Sequence, residues 1–246
     1  MWSPEQYQRF EKERAQPFHD LATLIEPRPH MRVVDLGCGT GSLTRLLHDT
    51  LGASETTGID RSSEMLAKAG AHTSPSLHFQ QGDIASFTGS GLDLLFSNAA
   101  LHWIPDHERL FPRLISYLGS RGQLAVQMPW NDDHPSHRVA REVAAAFGLT
   151  PHRADILPVE RYAHILHSAG MTRQHVRVQV YGHLLPSARD VVEWVKGSTL
   201  TEYREPLGPD RFADFVDEYS RRLLAEIGEG ENHFYTFKRI LIWGSR

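Results

Sequence analysis

Asp35-Leu36-Gly37-Cys38-Gly39-Thr40-Gly41 is the segment whose residue types and spacing speak most directly of chemistry. Alternating glycines let backbone approach a ligand closely, and a helix starting behind them aims free N–H groups at the same place. An acid, Asp35, stands two residues before the first glycine, and a second, Asp60, stands 19 residues after Gly41. A carboxylate in that second place can accept both hydroxyls of a ribose diol. A dinucleotide fingerprint wants its third glycine at position 42, where the chain has Ser42, so the spacing argues against a nicotinamide dehydrogenase. The plainer alternative is a tight turn beside a helix-capping acid; the strand–loop–helix context weighs against it.

Other residue types bear on an acceptor molecule. Arg153, Arg161 and Arg204 each carry the planar fork that suits a carboxylate, and each could equally be a solvated charge. His102 is placed to act as a base toward a hydroxyl, amine or carbon acceptor; the alternative is a histidine packed beside Trp103. Tyr7 could close over cofactor or acceptor, or serve as an aromatic staple of the first helix. Trp103 and Trp130 could wall an apolar pocket, although aromatic residues are more often core. His134-x-x-His137 lacks a third ligand nearby, so no metal is expected. Cys38 has no signalled catalytic partner and reads as a small filler. Arg138 to Glu142 reads as a solvated helix face.

These residues need elements to hold them. A first helix starts at Ser3, capped with Pro4 and Gln6, is broken or kinked at Pro17 and ends near Glu26 before Pro27. Strands are expected at 31–36, 56–60, 77–81, 92–97 and 122–128, and helices at 42–51, 62–69 and 106–118. This alternation predicts a doubly wound parallel sheet. The pattern changes after Pro129. Residues 130–158 are polar, with histidines at 134, 137 and 152 and prolines at 135, 151 and 158. Beyond them come a helix at 159–169, a strand at 176–185, a helix at 187–196 with Ser187 and Asp190 forming a capping box, an amphipathic helix at 209–227 and a last strand at 234–243. Two helices between the last two strands are one more than a parallel sheet needs. The surplus reads as a cap, giving a single domain 1–246 with cap elements at 1–26, 130–158 and 187–230.

Composition narrows the class. The chain has 246 residues, a net charge of −4, 40% apolar residues, 15 histidines and one cysteine. It can bury a sizeable core, cannot form an internal disulfide and carries no cysteine-type zinc site. The mild acidity argues against wrapping nucleic acid. No run approaches the ~18 apolar residues of a spanning helix, and the polar, acidic N-terminus shows no signal-peptide core. A cytoplasmic protein with no membrane partner is expected; the oligomeric state is not indicated.

The order acid-x-Gly-x-Gly-x-Gly at 35–41 resembles the first motif of the class I S-adenosylmethionine-dependent methyltransferases. That resemblance implies a Rossmann-like seven-stranded sheet, mostly parallel with the last strand antiparallel, and S-adenosylmethionine as cofactor. By position it implies Gly37, Gly39 and Gly41, with Cys38 among them, along the methionine part, and Asp35 near its amino group. Asp60 would hold the ribose hydroxyls, with Arg61 and Met65 beside the adenine. Gly82, Asp83 and Ile84 would form the adenine corner, and Asn98 would lie under the reacting methyl group.

Longer stretches resemble the trans-aconitate 2-methyltransferase family: Trp2 to Tyr7, Asn98 to His107, Leu124 to Pro129, Val192 to Gly197 and Phe237 to Arg239. The implied reaction is methyl esterification of a carboxylate of an organic acid. His102 and Tyr7 are the candidate catalytic residues. Tyr7, His102, Trp103, Trp130, Arg153, Arg161, Tyr203 and Arg204 are the candidate substrate residues. Two stretches depart from the family. Trp130-Asn131 stands where it has Asp-Asn. Thr201 stands where it has an arginine suited to a polycarboxylate. Both departures favour the alternative, O-, N- or C-methylation of another small metabolite, aromatic ones included.

Overall fold

The computed structural model describes residues 11–151 and 155–246. Tyr7, Arg153 and the expected cap at Ser3–Gln6 lie outside the described residues. The elements are α1 (Glu11–Ala22), β1 (Arg32–Leu36), α2 (Ser42–Leu51), β2 (Glu55–Asp60), α3 (Ser63–Ala69), β3 (Leu77–Gln81), β4 (Leu92–Asn98), α4 (His107–Ser116), β5 (Leu118–Pro129), α5 (Pro135–Ala146), α6 (Val159–Ser168), β6 (Arg173–Ser187), α7 (Arg189–Lys196), α8 (Thr201–Ile227) and β7 (Glu231–Ser245). Short 3-10 turns occupy Gly70–His72 and Leu101–Trp103. The strands form one seven-stranded sheet in the order β3-β2-β1-β4-β5-β7-β6. β1 pairs in parallel with β2 and β4, as do β2 with β3 and β4 with β5; β7 runs antiparallel to β5. This is the Rossmann-like arrangement that the alternation and the resemblance predict. Among the described residues no helix is long and apolar enough to cross a membrane.

The chain divides into two compact units. One comprises Gln16–Pro129, Ala154–Gln179 and Arg239–Arg246. Its core joins Phe18 and Leu21 of α1, Leu47 and Leu51 of α2, Leu94 and Phe96 of β4, and Leu241 and Trp243 of β7. Helix α2 shows how sequence sets such an element. Gly41 opens it in the left-handed region, Gly52 closes it, and leucines at helical spacing bury Leu47 and Leu51. Gln123 of β5 joins three parts of this unit. Its Oε1 accepts from Glu26 N–H at 2.9 Å and from Trp243 Nε1 at 3.0 Å, while its Nε2 donates to Glu26 O at 2.8 Å.

Of the described residues, the other unit holds 11–15, 130–151 and 180–238. Its core gathers Val139 and Val143 of α5, Val191 and Val195 of α7, Phe215, Tyr219 and Leu223 of α8, and Tyr235 and Phe237 of β7. The expected cap segments 130–158 and 187–230 fall mostly in this unit, whereas 16–26 and 154–158 belong with the first.

Several boundaries differ from expectation. Pro17 sits inside α1 without ending it, and the helix stops at Ala22, short of Glu26. Residues 135–146 form a helix, of which only Arg138 to Glu142 was expected as a helix face; that face was read as solvated, yet Val139 and Ala140 within it are buried. Pro135 supplies its first turn, His134 Nδ1 accepts from Ser136 N–H at 3.2 Å, and Val139, Ala140, Val143 and Ala144 are buried. Helix α8 starts at Thr201 because a second helix precedes the expected one and joins it at Gly208, where φ is 69°. The expected box at Ser187 is only partly formed. Asp190 Oδ2 accepts from the Ser187 N–H at 2.9 Å, and the serine hydroxyl donates to the same oxygen at 2.8 Å rather than capping the helix.

Candidate functional site

The first unit brings the ends of β1, β2, β3, β4 and β5 to one edge of the sheet. The glycine loop follows β1. Gly37, Gly39 and Gly41 all have positive φ, at 81°, 55° and 76°, so each position suits glycine alone without strain. Space adds a second demand at two of them. A Cβ on Gly37 would meet Ala100 Cβ at 2.2 Å, and one on Gly41 would meet the Phe79 ring at 2.7 Å. At Gly39 a side chain would project into open space. Packing therefore explains Gly37 and Gly41, whereas Gly39 leaves a bare stretch of backbone facing outward.

Asp60, at the end of β2, organises that backbone. Its Oδ2 accepts from Gly39 N–H and its Oδ1 from Ser62 N–H, both at 2.9 Å. The main chain beneath is fixed too: Gly37 N–H and Cys38 N–H both donate to Ile59 O, at 2.7 and 3.0 Å. A carboxylate has roughly four acceptor sites, so two hydrogen bonds leave Asp60 acceptor capacity for a diol. Ser62 caps α3 through its hydroxyl, which accepts from Met65 N–H at 3.3 Å. Met65 is half-buried on that helix, and the Arg61 side chain is exposed. The Asp60-x-Ser62 pattern is the signal from which Ser62 could have been read.

Asp35 is held differently. It is 4% exposed, and Thr44 of α2 donates its hydroxyl to Asp35 Oδ2 at 2.6 Å. Burial pushes its carboxyl up to about 7, the Thr44 hydrogen bond pulls the other way, and the Asp60 charge adds to the rise. Asp35 is thus poised between neutral and charged near physiological pH. Cys38 is buried, and desolvation together with the charges of Asp35 and Asp60 drives its thiol far above the ordinary range. That thiol stays protonated, which removes it as a nucleophile.

The corner after β3 is tied on both sides. Gly82 N–H donates to Asp60 O at 3.0 Å, and Gln81 Nε2 donates to Arg61 O at 3.0 Å. Asp83 is exposed, its Oδ1 accepting from Ala85 N–H at 2.8 Å, and Ile84 is buried. Arg113 of α4, which the sequence did not single out, pins this corner by donating to Phe87 O and Ile84 O, each at 3.0 Å. The end of β4 is anchored by Ser97, whose hydroxyl donates to Leu36 O at 2.7 Å. Asn98 Oδ1 accepts from Gln127 Nε2 at 2.8 Å, and Ala99 N–H donates to Gln127 O at 2.9 Å. Ala99 there has φ 55°, a left-handed turn rare for a residue with a side chain.

The 3-10 turn beyond carries His102 and Trp103. Their rings lie 4.7 Å apart and tilted, with His102 half-buried and Trp103 49% exposed. Arg161 of α6 is bidentate with Glu108, at 2.6 and 3.0 Å, so its fork is already matched by a carboxylate. Trp130, Tyr203 and Arg204 belong to the other unit. There Lys238 Nζ stands 5.1 Å from the Trp130 ring centre, and the Arg204 guanidinium stands 5.6 Å from that of Phe212. Tyr203 is buried, and desolvation first, then Glu202, holds its phenol protonated. Among the described residues there is no cluster of His, Cys, Asp and Glu that could hold a metal ion.

A family described as a methyltransferase domain matches residues 27–170. Trans-aconitate 2-methyltransferase of Deinococcus radiodurans is 42% identical, the alignment covering 100% of this chain and 98% of that one. The YcgJ protein of Bacillus subtilis superposes with a TM-score of 0.64 at 16% identity, covering 94% of this chain and 97% of that one. Phosphoethanolamine N-methyltransferase 2 of Haemonchus contortus, in complex with S-adenosyl-L-methionine, superposes with a TM-score of 0.57 at 16% identity, covering 94% of this chain and 52% of that one.

Proposed function

The chain belongs to the S-adenosylmethionine-dependent methyltransferases, and from that premise we propose that it methylates a carboxylate of a small organic acid of the trans-aconitate type. The observation that carries the acceptor is the full-length likeness, 42% identical, to an enzyme named for that reaction.

The residues fit the cofactor. Gly39 offers backbone onto open space, and Asp60 keeps acceptor capacity for the ribose diol while holding the loop. Arg61 and Met65 would flank the adenine, with Gly82, Asp83 and Ile84 at its far edge. Asp35, poised near pH 7, would become fully ionised beside a cationic amino group. When bound, S-adenosylmethionine supplies an activated methyl on a positively charged sulfur. An oxygen of the acceptor carboxylate would take that methyl, the electron pair of the S–C bond would stay on sulfur, and no proton would need to move. The protein's own task is to align that oxygen and keep water out. A carboxylate is ionised at pH 7 and needs no base, which agrees with a Cys38 thiol and a Tyr203 phenol held protonated. His102 and Trp103 would then flank the acceptor at that sheet edge.

The alternative, methylation of another small metabolite at oxygen, nitrogen or carbon, is favoured by Thr201 and by the Glu108 carboxylate that holds Arg161. A methyl-transfer screen decides between them. Tricarboxylic acids, aromatic amines and phenols are each offered with labelled cofactor. Label in the tricarboxylic acids supports the ester reading, and label confined to amines or phenols overturns it.

A further inference from the structure

Gln127 is 2% exposed, near the end of β5 beside Asn98, and its side chain makes a single hydrogen bond. Its Nε2 donates to Asn98 Oδ1 at 2.8 Å, while its own Oε1 is buried with no partner. Its backbone carbonyl accepts from Ala99 N–H at 2.9 Å, so one residue grips the end of β4 through both main chain and side chain. The amide orientation has a physical reason. Reversing both amides would leave Gln127 with two unpaired buried N–H donors, where it now has one unpaired N–H and one under-used oxygen, and orphaned donors are the rarer and costlier case. With Oδ1 engaged, Asn98 Nδ2 is the atom turned away from Gln127. Among the described residues it has no protein partner, and it is not among the buried unpartnered atoms, so it keeps some exposure at the sheet edge, where Asn98 is half-buried.

We propose that Gln127 is a positioning residue that locks the Asn98 amide so that its N–H donors, and not its oxygen, face the methyl acceptor. This rests on the carboxylate reading of the preceding subsection and deepens it. A fixed donor pair at that edge favours an anionic oxygen and disfavours an amine, which needs an acceptor there. An unlocked Asn98 presents either end, and discrimination falls.

The test uses S-adenosylhomocysteine and trans-aconitate as probes on the full chain. Titration calorimetry gives the Kd of S-adenosylhomocysteine and then the Kd of trans-aconitate for the loaded protein; steady-state assays give KM and kcat. Gln127→Met is expected to raise the trans-aconitate Kd and KM about tenfold, with the S-adenosylhomocysteine Kd unchanged within about twofold. Asn98→Ala is expected to give the same pattern. The double variant is expected to be no weaker than Asn98→Ala alone, because Gln127 acts only through Asn98. Losses that multiply, an unchanged trans-aconitate Kd in Gln127→Met, or a matching loss of S-adenosylhomocysteine affinity would overturn the proposal. Should Gln127→Met not fold, Asn98→Asp serves instead. It still accepts from Gln127 but turns an oxygen to the acceptor, so trans-aconitate binding is lost with cofactor binding kept, and retained trans-aconitate binding counts against the lock. A wild-type loaded protein that binds no trans-aconitate sinks the carboxylate reading itself, and this inference with it. Wild-type binding combined with an indifferent Gln127→Met sinks the inference alone.

Discussion

At the scale of single residues, Asp60 carries the clearest prediction. Its carboxylate ties Gly39 to Ser62, and we propose that it also holds the cofactor's ribose diol. Asp60→Ala removes both functions, and the S-adenosylhomocysteine Kd is expected to rise by at least tenfold, about 1.4 kcal/mol or more by calorimetry. The glycines separate by cause. Gly37→Ala drives a Cβ to 2.2 Å from Ala100, whereas Gly39→Ala meets no atom and suffers only from its left-handed φ. Thermal melts should show Gly37→Ala the more destabilised, by about 2 kcal/mol or more against about 1 kcal/mol for Gly39→Ala. Asp35 predicts a pH effect. Its folded carboxyl titrates near 7 against an unfolded value of 3.8, so the unfolded chain ionises first and stability falls as pH rises from about 4 to about 7. Asp35→Asn removes that slope. Relative to wild type, the variant should be more stable at pH 8 than at pH 5, by on the order of 3 kcal/mol in the difference, read from denaturant unfolding without cofactor. A difference that does not change with pH would show that Asp35 is ionised in the free protein. Asp35, Asp60 and the three glycines were legible in the sequence because their spacing is local. Gln127 was not, because its role depends on β4 and β5 meeting in register.

At the scale of elements, buried hydrogen bonds hold the site's supports together. His107 opens α4, is fully buried, and donates through Nε2 to Leu101 O at 3.0 Å while its Nδ1 accepts from the Tyr162 hydroxyl of α6 at 2.6 Å. Burial lowers the His107 pKa and keeps it neutral. Tyr162 in turn accepts from Leu157 N–H at 3.1 Å. This chain of bonds fixes the 3-10 turn that carries His102 and Trp103. Tyr162→Phe leaves the buried His107 Nδ1 and the half-buried Leu157 N–H without their partner and should cost about 2 kcal/mol, several degrees of Tm in a melt. An unchanged Tm would show that the turn is held by packing alone. Helices α2, α4 and α6 and strands β1 to β4 were readable from apolar spacing, because each buries one face or lies wholly inside. Helix α5 was legible only as a helix face at 138–142. The polar, proline- and histidine-bearing segment around it marks a loop by composition, yet Pro135 fits the first helical turn, and Ser136, Val139, Ala140, Val143 and Ala144 are buried. The start of α8 was missed for a related reason: Pro206, Gly208 and Pro209 mark a stop, whereas Gly208 joins two helices.

At the scale of the whole molecule, alternating strands and helices dictate the parallel order that delivers five strand ends to one edge of the first unit. The net charge of −4 leaves cofactor binding untouched but bears on the acceptor. A polycarboxylate must find its cations and donors locally, and the proposed lock would make the Asn98 amide such a fixed donor. The central claim is that this chain joins a methyl group to a carboxylate oxygen. The most direct measurement incubates the purified protein with S-adenosylmethionine and trans-aconitate and follows both products by NMR. The proposed carboxylate reading predicts a methyl ester resonance growing in step with S-adenosylhomocysteine. Cofactor turnover without ester, or ester-forming conditions that leave trans-aconitate unchanged while a phenol or amine gains the methyl group, would contradict it.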